Sequence, residues 1–309
     1  MQKQKSESKI AVYYELTKPK IWYLLVFTAF GATLTAANIY NIDVSVGTWT
    51  LMLFSVAAGS AAANTLTNYH DRDIDAIMER TKERPLPSKR IYPAEKARNF
   101  GLALAGISLV LAFAISFTTT LEQGMWATGF IAFGLFNNIL IYSYVLKRNS
   151  RANIILGGLC GGSPPLVGWV AATMSDLWTM GLVMAGLVFI WIPMHIWALT
   201  LHFKEDYNKV NVPMLTAVQS EKTSARTIAI STFIMVLFSI VPFFLTNENG
   251  ESMIGPTYLW TAIVSGALMI ALSAWVITKP MEKASWTLFK FSSPYLAVLF
   301  IALMVDSAL

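Results

Sequence analysis

The sequence predicts an all-α, polytopic membrane protein that crosses the bilayer nine times, and three observations carry that prediction. The 309-residue chain is 55% hydrophobic and only 13% charged, about half the charged share of an average soluble domain. Apolar runs of roughly 20 residues, the length that spans a hydrocarbon core, recur along it. The cations are confined to alternate connections.

The runs fall near 21–38, 48–69, 99–119, 124–144, 153–173, 177–200, 227–246, 256–277 and 289–308. Glycine and proline occur inside several of them, which membrane helices tolerate. The N-terminal tail (residues 1–20) holds five Lys/Arg, and segments 70–98, 145–152, 201–226 and 278–290 hold eight, three, four and three. Together these are all 23 in the chain; the intervening connections and the C-terminal end hold none. By the positive-inside rule the N-terminal tail and these loops are cytoplasmic, the C-terminus lies outside, and the span count is odd. The expected location is the cell membrane. A lysine-rich start before an apolar run also fits a signal peptide, but eight further spans favour a retained first helix. With no composition shift, residues 1–309 read as one membrane domain. The net charge of +5 belongs to topology and anionic ligands and gives no ground for nucleic-acid binding. The single cysteine, Cys160, excludes an intrachain disulfide, and no zinc-type spacing exists.

Polar chemistry gathers at the cytoplasmic side in three stretches. The first is NTLTNYHDRDIDAIMERTKERP, residues 64–85. At about 100° per helical residue, Asn64, Thr67, Asn68, Asp71 and Asp75 share one wedge, while Asp73 points away. Two carboxylates one turn apart, backed by amides, suit a hard divalent cation such as Mg²⁺. Arg72, Arg80 and Arg84 follow, with Lys82, Lys89 and Arg90. Metal-binding carboxylates beside cations that meet anionic oxygens point to a diphosphate. The competing reading is a solvated helix end neutralised by its own arginines.

The second stretch, YSYVLKRNSRANIILGGLCGGSPPLVGW (142–169), starts with Lys147 and Arg148 in a short loop and continues into a glycine-rich span. Its glycines allow close packing, and Pro164–Pro165 remove backbone donors and can break the helix. In the third, FIWIPMHIWALTLHFKEDYNKVNVPML (189–215), His195 lies within a span. An intramembrane histidine is a functional candidate, as a metal or haem ligand or a proton carrier. On a continuous helix His195, His202 and Asp206 share a face; Glu205 and Asp206 also read as a helix end.

Together with LTKPKIWYLLVFTAFGA at 16–32, these stretches resemble the UbiA-type intramembrane prenyltransferases, and within them the haem-farnesylating family. The likeness runs from the first span to the loop after the sixth; spans seven to nine match only in number. It implies nine helices around a central cavity capped by cytoplasmic loops. It further implies Mg²⁺-dependent transfer of a farnesyl group from farnesyl diphosphate to a vinyl group of haem B, giving haem O. Haem A synthase or a terminal oxidase assembly factor would then be a possible partner. On that resemblance Asp71 and Asp75 hold Mg²⁺, with Asn64 or Asn68 as an amide ligand and Asp206 at a second metal position. Lys20, Arg72, Arg80, Arg84, Lys147 and Arg148 meet the diphosphate, and His195, Trp191 and His202 face the porphyrin. Asp71, Asp75, His195 and Asp206 are the catalytic candidates. Thr67 departs from the family's usual Asn, and His202 stands where the superfamily's second Asp-x-x-x-Asp begins.

Three other acceptors, a quinone precursor, a chlorophyll precursor and a glycerophosphate lipid, remain within the same enzyme type. A CDP-alcohol phosphotransferase lacks its Asp-Gly-x-x-Ala-Arg lead-in here. A haem-binding chaperone or a transporter is the non-enzyme alternative.

Overall fold

A computed structural model describes residues 8–247, 250–278 and 281–309, the side chains of residues 281 and 282 excepted. The first seven tail residues, with Lys3 and Lys5, and also Glu248 and Lys279, lie outside the described residues. Among these residues nine helices are long and apolar enough to cross a bilayer, as in a multi-pass membrane protein. The regular elements are helical throughout, apart from one isolated bridge between Thr246 and Ser252.

A short helix α1 (Lys9–Leu16) precedes the first long helix, α2 (Pro19–Tyr40). Pro19 at the first turn suits a helix start, where no backbone donor is needed. Helix α3 (Val46–Asp75) begins at Ser45, whose hydroxyl accepts from Thr48 N. It runs 30 residues without interruption, so the acidic cluster is its last turn rather than a loop. Helix α4 (Glu95–Ala114) packs along it; a Cβ on Gly101 would lie 2.8 Å from Leu66.

Helix α5 (Leu121–Phe136) widens into π-helical turns over Asn137–Leu146. The fifth span is broken into α6 (Asn153–Gly157), a 3₁₀ segment (Gly158–Gly162) and α7 (Ser163–Ala172). The break therefore falls on the glycines, and the prolines open α7 in its first turn, where their missing donors are harmless. Helix α8 (Leu182–His202) is followed by two short helices, α9 (Lys204–Lys209) and α10 (Leu215–Val218). Three long helices close the bundle: α11 (Glu221–Ser239), α12 (Pro256–Thr278) and α13 (Met281–Asp306).

Small residues set the closest approaches, as expected where helices associate by packing. Gly168 of α7 lies against the Ala29 backbone of α2, and Thr33 donates to the Gly168 carbonyl at 2.7 Å. Helices α2, α3, α5, α6–α7 and α8 enclose a cavity of about 350 Å³. Helix α13 packs behind α8, outside the ring.

Candidate active site

The cavity is apolar at one end and strongly polar at the other. Val56, Ile131, Leu135, Ile154 and Ile192 line the apolar part, with Trp191 and His195 at its wall. The polar end brings together Asn64, Thr67, Asp71 and Asp75 of α3, Arg80 and Arg84 of the following loop, Lys147, Lys18, Tyr142 and Tyr207. Because α3 stays helical through Asp75, one face delivers both carboxylates.

Both are almost fully buried and each meets a cation. Lys147 forms a salt bridge to Asp71, whose side chain is 2% exposed. Arg84 donates to Asp75 Oδ2 at 2.7 Å. Thr81 Oγ1 donates to the Asp75 carbonyl at 3.0 Å, folding the loop back over the helix end. Burial works against the charge of Lys147, but the neighbouring Tyr142 and Asp71 outweigh it and raise its pKa. Lys18 is pushed the other way, well below the usual lysine range, by burial and then by the neighbouring Arg84.

Asp71 Oδ1 and Asn68 Oδ1 are buried without a hydrogen-bond partner. Two unpartnered oxygens one turn apart fit a hard cation that takes oxygen ligands. Among the described residues no group of three or more His, Cys, Asp or Glu side chains is placed to hold a metal. Further ligands would have to be amide, water or substrate oxygens.

The remaining sequence candidates are placed as follows. Asn68 is buried outside the cavity lining, and its amide donates to the Leu16 carbonyl at 2.8 Å, tying α1 to α3. Asp73 points outward, its side chain 60% exposed, and pairs with Arg148. Arg148 is thereby directed to the outer face of α3 rather than the cavity. Arg72 is exposed, donating to the Tyr69 carbonyl and lying over the Tyr69 ring. Lys20 is exposed one residue beyond Pro19. The cation at this position in the cavity wall is Lys18, turned inward by a left-handed backbone (φ 53°).

The expected common face of His195, His202 and Asp206 stops at His202, the last residue of α8. At Phe203 the backbone leaves the helical region (φ −102°, ψ 31°), and α9 starts anew. Asp206 lies outside the cavity lining and clasps the loop, accepting from Glu79 N at 3.3 Å and Arg80 N at 3.1 Å. His202 also lies outside it, stacked on Trp286 at 4.7 Å. The clasp yields a prediction. Asp206→Ala removes two hydrogen bonds to a charged acceptor from the exposed loop, so tryptic cleavage at Arg80 and Lys82 should accelerate. Cleavage at the wild-type rate would refute the clasp.

Sequence reasoning missed Lys18, Tyr142, Tyr207, Asn138 and the α13 residues behind His195. Asn138 lines the cavity and accepts from Thr67 Oγ1 at 3.1 Å, so the amide absent from position 67 stands next to it.

A membrane cavity with an apolar body and paired carboxylates and cations at one end is built for an amphiphile with an anionic head. The chain belongs to the UbiA prenyltransferase family, whose pattern matches residues 24–302. It is 72% identical over 309 residues to protoheme IX farnesyltransferase 2 of Cenarchaeum symbiosum, covering 100% of this chain and 99% of that one. It is 39% identical to protoheme IX farnesyltransferase of Thermoplasma volcanium, over 96% of this chain and 98% of that one. Two solved structures share the fold. Digeranylgeranylglyceryl phosphate synthase superposes with a TM-score of 0.73 at 20% identity, over 97% of this chain and 99% of that one. A UbiA homologue from Archaeoglobus fulgidus, bound to DMAPP and Mg²⁺, superposes with a TM-score of 0.56 at 14% identity, over 95% and 99%.

Proposed function

We propose that this prenyltransferase moves the farnesyl group of farnesyl diphosphate onto a vinyl group of haem B, giving haem O and diphosphate. The observation that carries the donor half is the pairing of Asp71 with Lys147 and Asp75 with Arg84 at the polar end of an apolar cavity. The acceptor half is supported by the 72% identical relative named for protoheme IX.

In this reading Asp71 and Asp75 would hold Mg²⁺, and the unpartnered Asn68 carbonyl oxygen, one turn before Asp71, is a candidate further ligand. The ion would supply charge neutralisation to the departing diphosphate. Lys147 and Arg84 turn from the carboxylates to the phosphate oxygens, joined by Arg80 and Lys18 of the same cavity wall. The C1–O bond of the donor breaks, C1 bonds to the terminal vinyl carbon, and water captures the remaining cation with loss of a proton. The apolar wall holds the prenyl tail and keeps water from the allylic cation until the new C–C bond forms. The Lys/Arg-rich loop residues 72–90 and 147–148 lie at the polar end, which supports a cytoplasmic entrance for the diphosphate.

The test is the pigment of a host that lacks its own haem O synthase. Expressing this chain should yield haem of the mass of haem O. Accumulation of unmodified haem B, with the protein inserted and farnesyl diphosphate available, would reject the assignment. A prenylated quinone or lipid in its place would establish the alternative acceptor.

A further inference from the structure

His195 is held in a setting that fixes which of its atoms can act. Trp191 stacks on the imidazole at 4.1 Å and 25°, and Phe289 at 4.4 Å and 28°. Two rings at that separation cannot share one face of an imidazole, so both faces are covered. The Nδ1 edge lies 2.6 Å from Ser292 Oγ. What remains is the opposite edge, carrying Nε2. His195 is half-buried and lines the cavity, so this edge faces the cavity. Nε2 has no hydrogen-bond partner among the described residues.

The protonation of Nδ1 follows from Ser292. That hydroxyl is fully buried and lies 2.7 Å from the Phe289 carbonyl oxygen. A serine carries one proton, and two oxygens at 2.7 Å attract only with a proton between them. Ser292 therefore donates to the Phe289 carbonyl and accepts from His195 Nδ1–H. In the neutral imidazole the lone pair is then on Nε2. The Ser292 backbone carbonyl accepts from Trp191 Nε1 at 2.9 Å, so one residue of α13 orients both cavity rings.

We propose that His195 Nε2 is the axial ligand that takes the iron of the acceptor porphyrin, and that Ser292 is its positioning residue. A ring covered on both faces cannot stack on a porphyrin, and a neutral ring with a bound Nδ1 proton offers a carboxylate nothing at Nε2. A directed lone pair in an apolar wall suits a metal with an open axial position. Ligating histidines characteristically donate their other ring N–H to a fixed acceptor, which orients the ring and raises its basicity. The aromatic column continues from Phe289 to Trp286 at 5.1 Å and to His202 at 4.7 Å, making His202 part of the support.

This rests on the haem reading, and the test separates the two. Purified full-length protein in detergent is titrated with ferric haem, without prenyl diphosphate, and read by absorbance. Wild type should show the Soret and visible bands of imidazole-ligated iron. His195→Ala should lose them, and added imidazole should restore them. Ser292→Ala, which keeps the Trp191 bond to the backbone carbonyl, should weaken haem affinity roughly tenfold, with recovery in Ser292→Thr. Iron-free protoporphyrin should bind His195→Ala as it binds wild type. An unchanged spectrum in inserted, monodisperse His195→Ala protein, or wild-type haem affinity in Ser292→Ala, would overturn ligation. If haem O is made but the wild-type spectrum lacks the imidazole signature, ligation alone falls. If the protein neither binds haem nor converts it, the haem reading falls and takes this proposal with it.

Discussion

Asp71→Asn should reduce farnesyl transfer by roughly 10²–10³-fold, the usual cost of removing one preorganised electrostatic group from a transition state, with the protein still inserted. Lys147→Met should lose comparable activity and also lose stability. It strips the partner from a carboxylate that is only 2% exposed, and breaking a buried pair from one side costs about 3–5 kcal/mol. The double variant separates the two effects. With both charges gone there is no orphan to bury, so thermal stability should return towards wild type while activity stays absent. The measurements are unfolding midpoints of the three variants in one detergent and their turnover with haem and farnesyl diphosphate. Wild-type turnover in Lys147→Met, or a double variant as unstable as that single one, would refute the pairing as both a structural and a catalytic element.

That pair also shows where the sequence was readable. The α3 wedge depended only on a long helix and a fixed angular step, and the helix holds through Asp75. The split between inward Asp71 and Asp75 and outward Asp73 followed from the same step. Other placements depended on backbone departures with no local signature. Lys18 adopts a left-handed conformation rare for a lysine, so Lys18 rather than Lys20 reaches the cavity. The π-helical turns at Asn137–Leu146 shift the register from 3.6 residues per turn, which hid Asn138 and Tyr142. The bend at Phe203 separated Asp206 from His195 and His202. Ser292 lies on a span that matches the resembled family only in number, and its meaning comes from α8, roughly a hundred residues away in the chain. Periodicity reports which residues share a helix face; it carries no information about which other helix that face meets.

Gly168→Ala should be the most damaging small substitution in the bundle. A Cβ there would lie 2.1 Å from the Ala29 carbonyl oxygen and 2.8 Å from its carbon. The obstacle is backbone, so no side-chain rotation relieves it, and α7 must separate from α2. That separation would also break the 2.7 Å bond from Thr33 to the Gly168 carbonyl and loosen fully buried Trp169. Overpacking typically costs about 1–3 kcal/mol and more where the neighbour cannot move; the upper end or beyond is expected here. Because α2 begins directly after Lys18 and α7 carries Pro164 of the cavity wall, activity should fall with stability. Gly129→Ala is the control, since its Cβ would meet nothing within 4 Å, and alanine favours the helix by about 1 kcal/mol over glycine. Size-exclusion profiles and unfolding midpoints in detergent decide the matter: Gly168→Ala should aggregate or melt early, and Gly129→Ala should match or exceed wild type. Equal midpoints for the two variants would mean that α2 and α7 are not held at the separation seen here.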